Sequence, residues 1–150
     1  MNEPRTVFVP DVNPAAIPGP SREICGLMGR DNIYRMIEDF YRELDASPIR
    51  AMFPQDLLSS SRKSAAFFVQ LLGGPQEYNE RFGPPRMRGR HMPFQITSSA
   101  RDAWLACFER VLARAVADYA FPEQHLEDFK RFLRGFSLWM VNTPDEPAAP

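Results

Sequence analysis

Histidine is scarce in this chain of 150 residues, with only His91 and His125. Cysteine is equally scarce. Cys25 and Cys107 lie far apart, which argues against a disulfide framework, and no HxxxH or CxxC spacing supports zinc. The formal net charge is -1, so there is no electrostatic footprint for nucleic acid or an anionic membrane. No apolar run reaches the roughly 18 residues needed to span a bilayer. No basic-then-apolar signal opens the chain either, and a cytoplasmic protein is the resulting expectation. Flavin and nicotinamide fingerprints are missing, so any redox turnover needs an external reductase. Period-two alternation and hairpin signals are also missing, which argues against sheets.

The residues that are present read as helices. The length suits one domain with a real core. Residues 1–20 carry five prolines, Pro4, Pro10, Pro14, Pro18 and Pro20, and predict an extended or loosely held arm. Residues 21–142 form the expected domain, and 143–150 a flexible tail.

Within the domain, Ser21 to Met28 predicts a short helix stopped by Gly29. Asp31 is the expected cap of the next helix, where Ile33, Met36, Ile37, Phe40, Tyr41 and Leu44 recur at helical spacing. Tyr41 lies on that apolar face, and its hydroxyl needs a partner, either a backbone carbonyl or a pocket ligand. After the turn at Asp45–Pro48, Phe53 precedes a proline and is expected to plug inward. A helix from Asp56 or Ser59 to Leu72 follows, with Ser60 and Ser64 on one face. Gly73-Gly74-Pro75 stops it.

A Gly- and Pro-rich connection then runs to Pro85, anchored by Tyr78 and Phe82. Ser98 or Ser99 is the expected cap of a helix reaching Tyr119. Trp104, Leu105, Phe108, Val111, Leu112, Ala115 and Val116 form its apolar stripe. Pro122 opens the last helix, whose buried face holds Leu126, Phe129, Phe132, Leu133, Phe136 and Met140. The fold class is all-α, with four main helices.

The stretch from Gly83 to Ile96 organises the chain. It delivers His91 near the end of a short helical turn, with Arg86, Arg88 and Arg90 before it and Pro93 after it. A lone histidine at a helix end, among cations and apolar groups, suits an axial iron ligand beside an anionic cofactor. Composition alone reads the same residue as a surface or satisfied core histidine.

Four runs of residues, taken in order, carry a resemblance. They are Phe67-Phe68-Val69-Gln70-Leu71-Leu72-Gly73-Gly74-Pro75, then Tyr78, then Arg88-Gly89-Arg90-His91-Met92-Pro93-Phe94, and then Arg101-Asp102-Ala103-Trp104-Leu105. Together they resemble the truncated haemoglobins of group II over residues 32–142. The resemblance implies a truncated globin-like two-over-two helical sandwich around b-type haem, iron protoporphyrin IX. It identifies His91 with the proximal iron ligand and Tyr41 with the distal tyrosine. Trp104 matches the tryptophan that marks the group. Ser60 and Ser64 fall at distal positions on the helix crossing above the iron.

Phe53 matches the aromatic on the haem face. Lys63 and Arg90 fall where such proteins hold the propionates, with Tyr78 assisting. Phe67, Met87 and Phe94 are expected to cover the macrocycle. Two departures stand out. Ser64 sits where a larger residue, such as glutamine or leucine, is common, and Pro84 stands where histidine is often found.

The implied function is binding of dioxygen and other diatomic ligands, carbon monoxide or nitric oxide among them. Tyr41 and Trp104 both offer donors to the ligand, through O–H and indole N–H. One such bond to charge is worth about 1.5–3 kcal/mol, so slow oxygen release is expected. That suits storage, sensing or delivery better than rapid oxygen transport. The alternative is an enzyme that detoxifies peroxide or nitric oxide with an external reductant. A homodimer remains open.

Overall fold

A computed structural model describes residues 8–145. The ends of the expected arm and tail, residues 1–7 and 146–150, lie outside the described residues. Eight α-helices occur among the described residues, with no strand. They are α1 (Ile24–Met28), α2 (Arg30–Asp45), α3 (Leu57–Leu71), α4 (Glu77–Phe82), α5 (Met87–His91), α6 (Ser98–Leu112), α7 (Ala115–Tyr119) and α8 (Leu126–Met140). The four long helices, α2, α3, α6 and α8, have 15 or 16 residues each. Among the described residues no helix is long and apolar enough to cross a membrane.

The apolar stripes explain the packing. Helix α2 turns Ile33, Met36, Ile37, Phe40 and Leu44 inward and lies against α3 and α6. Helix α8 buries Phe129, Phe132, Leu133 and Met140 and lies against α6. The pair α2–α3 thus stacks over the pair α6–α8. Each long helix sends one phenylalanine to the centre. Phe40 and Phe108 stand 4.2 Å apart, Phe68 and Phe108 5.7 Å, and Phe108 and Phe129 5.9 Å. Mostly edge-on contacts of this kind add to the area that the rings bury.

Helix boundaries differ from the sequence reading in instructive ways. Asp31 is not the cap of α2. Gly29, at φ +89°, turns the chain directly from α1 into α2, and Asp31 falls in the first turn. At α3, of the two caps considered, Asp56 is the one used. Its carboxylate accepts from the Ser59 N–H at 3.1 Å. Thr97, rather than Ser98 or Ser99, caps α6 by accepting from Ala100 N–H at 3.1 Å.

The helix expected to reach Tyr119 breaks after Leu112. The break re-aims α7 against α2, so Ala115 and Tyr119 are buried and Val116 stays exposed. The Tyr119 hydroxyl donates to Asp39 of α2. Pro122 begins a short 3-10 turn, Glu123–His125, ahead of α8.

The long connection after Gly73 is partly helical, because α4 is docked by side chains that sequence periodicity does not reveal. Gln70 accepts from Asn79 N–H at 3.0 Å, and Arg30 and Tyr34 hold Glu77. Gly73 and Gly74 permit a close crossing. A Cβ on Gly73, at φ +97°, would stand 1.8 Å from the Arg22 carbonyl oxygen.

Residues 8–20 lie along the body rather than apart from it. The turn Pro14–Ala16 rests against α8, Ile17 packs on the core, and Pro10 and Pro20 are buried. At the other end, Asp145 accepts from the N–H and hydroxyl of Ser99.

Candidate functional site

Helix α5 is short and isolated by its neighbours. Pro84 and Pro85 precede it, Arg86 enters it at φ +39°, and Pro93 follows. His91 is its last residue, and its Nδ1 lies 2.6 Å from the Met87 carbonyl oxygen. A carbonyl only accepts, so Nδ1 carries the proton and Nε2 is left with its lone pair. Burial lowers the His91 pKa. The Met87 bond opposes that shift, and the charge of Lys63 reinforces it. The imidazole is therefore neutral at neutral pH, the form that binds metal.

Helices α2 and α3 bring Tyr41 and Ser64 within hydrogen-bonding reach of each other. Burial raises the Tyr41 pKa and keeps the phenol protonated, with the Ser64 bond acting against the shift. The Tyr41 ring meets Phe40 and Phe53 edge-on, at 5.6 and 6.0 Å. From α6, Trp104 meets the same Phe40 at 5.4 Å. Its indole N–H takes no hydrogen-bond partner among the described residues. Ser60 is half-buried, one turn before Ser64.

The remaining expected residues are placed as follows. Phe67 is 5.8 Å from Tyr78 and stacks at 5.9 Å on Phe136, which sequence reasoning treated as core alone. Met87 is half-buried and Phe94 is 48% exposed. Lys63 is exposed, with its ammonium 5.0 Å above the Phe82 ring. Tyr78 is buried, and burial raises its pKa against the nearby Arg90 charge.

The Arg90 guanidinium lies 5.4 Å over the Tyr78 ring and donates to the carbonyls of Pro85, Phe82 and Pro84 at 2.6, 2.7 and 3.0 Å. It braces the entry to α5 before it can serve any ligand. His125 lies elsewhere, beside Glu23. Cys107 is buried, and burial raises its pKa, which fits a packed residue more than a reactive thiol.

These residues fit haem. Tyr41, Phe53, Phe67, Trp104 and Phe136 pack on the core but remain only partly buried, so apolar surface is left to cover. His91 keeps an imidazole nitrogen with its lone pair, and Tyr41 and Trp104 carry O–H and N–H donors. Among the described residues no three His, Cys, Asp or Glu side chains gather for a metal.

The two stacked helix pairs define a two-over-two globin fold. The chain belongs to the bacterial-like globin family, which it matches over residues 26–137. Group 2 truncated hemoglobin YjbI of Bacillus subtilis (strain 168) is 39% identical over 83 residues, 55% of this chain and 63% of that protein. The match therefore spans less than two thirds of that relative's length. The crystal structure of the group II truncated haemoglobin from Bacillus anthracis superposes with a TM-score of 0.75 at 32% identity, over 87% of this chain and 98% of that one. The structure of the truncated oxygen-avid haemoglobin from Bacillus subtilis gives 0.72 at 31% identity, over 79% and 98%. Globin membership implies haem and a gaseous ligand.

Proposed function

We propose that this chain holds haem b through His91 and binds dioxygen, with carbon monoxide and nitric oxide as further ligands. The observation that carries the reading is the His91 ring. Its Nδ1–H is spent on Met87, and Nε2 is left for iron. Bound haem supplies the iron that takes the diatomic ligand.

The chain's own residues do the rest. The hydrogen bond to Met87 fixes the tautomer and orients the ring, as partners of metal-binding histidines generally do. Phe53, Phe67, Met87 and Phe94 cover apolar surface, which contributes most of the affinity beyond the axial bond. Lys63, exposed at the surface, would hold a propionate, worth about 1 kcal/mol or less because the contact would be solvated. Arg90 sits on the same side, with its guanidinium partly committed to carbonyls. Tyr41 offers its O–H to a ligand from beside Ser64. Trp104 adds an unspent N–H. Two donors against a partly negative ligand favour slow release, and the description of the Bacillus subtilis structure as oxygen-avid supports this reading.

A second reading has one observation in its favour. Ser64 is small and only half-buried, which leaves room for peroxide. Turnover of peroxide or nitric oxide then requires an external reductase.

The test is an optical spectrum of the haem-loaded protein, ferric and then reduced, for wild type and His91→Ala. A Soret band that moves on reduction and on adding carbon monoxide, and is altered or lost in the variant, is the expected result. Unchanged spectra in the variant would remove His91 from its role. Failure of the wild type to take up haem would overturn the whole reading.

A further inference from the structure

Helix α5 has five residues, too few to hold its own direction. Prolines on both sides prevent its extension. The orientation of His91 therefore depends on what grips α5 from outside, and the grip comes largely from the two ends of the chain.

Asn142 lies just beyond α8 and is fully buried. Its Nδ2 donates to the carbonyl of His91 at 3.2 Å and to the carbonyl of Phe94 at 3.0 Å. Its Oδ1 accepts from the Ile96 N–H at 3.0 Å and from the Thr143 hydroxyl at 2.8 Å. Its backbone N–H donates to Ile96 O at 3.0 Å, and its carbonyl accepts from Phe8 N–H at 3.0 Å. An asparagine side chain has two donor hydrogens and two acceptor lone pairs, and here all four are used. Three of the four fasten the segment from His91 to Ile96.

Arg88 grips the same helix from one turn before His91. It donates to the carbonyls of Trp139, Val141 and Phe8, and its guanidinium lies 4.5 Å over the Trp139 ring. Phe8 thus bonds both Asn142 and Arg88, which ties the N-terminal arm into the same clasp.

We propose that Asn142, together with Arg88, is a positioning residue for the proximal histidine. It holds the carbonyl of His91 and the turn after it, and so sets how Nε2 meets iron. This inference rests on the haem reading above and goes beyond it. Neither residue touches the ligand. Both act through His91.

The experiment uses the haem-loaded full chain. Asn142→Asp keeps the shape and both acceptors but removes the two donors. Arg88→Gln provides an independent variant if the first does not fold. Val111→Ala is the control, because it opens the buried core without touching the clasp. The readouts are the iron–histidine stretching band of the reduced, unligated protein and the rate of haem transfer to an excess of an apoprotein acceptor.

The expected result is a shifted band and about tenfold faster haem loss in the clasp variants, the low end for outer partners of a metal ligand. Val111→Ala should keep the wild-type band. A wild-type band and transfer rate in the folded clasp variants would overturn the inference and leave the haem reading intact. So would an equal band shift in Val111→Ala. A wild type that takes up no haem would overturn both.

Discussion

Tyr41 and Ser64 are two ordinary side chains that the fold brings together. Burial keeps the Tyr41 phenol protonated, and Ser64 occupies one of its hydrogen-bonding positions. A hydrogen bond to a charged partner is worth about 1.5–3 kcal/mol, so Tyr41→Phe should speed dioxygen release by about 10–100-fold. Stopped-flow displacement of dioxygen by carbon monoxide measures this. An unchanged rate would assign the donor role to Trp104.

A second residue-scale prediction concerns Glu77. Burial pushes its carboxyl pKa up, but bonds from Arg30 and Tyr34 and the charges of Arg30 and Arg81 outweigh this and hold it below the ordinary value. A carboxylate lowered by folding stabilises above its unfolded value and loses that contribution as pH falls through the folded value. Glu77→Gln should therefore lower stability at pH 7, by about 1 kcal/mol because Arg30 is half exposed. The difference from wild type should vanish in acid. Urea unfolding across a pH series reads the effect, and a difference that grows in acid would contradict the assignment.

At the level of elements, Gly73 and Gly74 do more than end α3. The Arg22 carbonyl occupies the space beside Gly73, and Cys25 Sγ would stand 2.6 Å from a Cβ on Gly74. Gly73→Ala should cost about 1–3 kcal/mol from its left-handed backbone alone, with more from the clash. Denaturant midpoints test this, and a loss of a few tenths of a kcal/mol would mean that the crossing yields easily.

Element boundaries were the least legible part of the sequence. Periodicity placed all four long helices, because each has one apolar stripe. It did not place α4 or the break before α7. Those depend on Arg30, Tyr34 and Asp39, residues remote in sequence that dock the segments from α2.

For the molecule as a whole, the ring cluster of Phe40, Phe68, Phe108 and Phe129 is the shared support of all four long helices. Phe108→Ala should cost about 3–5 kcal/mol, the usual loss for a buried phenylalanine. Ligand binding to the folded state should offset part of it. Under the haem reading, haem in excess should raise the melting temperature of wild type and variant alike. Calorimetry with and without haem checks this, and an unmoved wild-type transition would count against haem binding.

The amino-acid sequence by itself determined the all-helical class, the central aromatics and His91, Tyr41 and Trp104 as the residues to watch. Helical stripes and ordered motifs are local patterns, and a linear reading captures them. Only the tertiary structure decided what those residues lean on. It put Ser64 against Tyr41, engaged Arg90 with backbone carbonyls, and laid Phe8 and Asn142 across the segment around His91. The reason is physical. A buried polar group must find a partner, and Asn142 finds one in the His91 carbonyl, 51 residues earlier in the chain. Chain folding alone brings such pairs together.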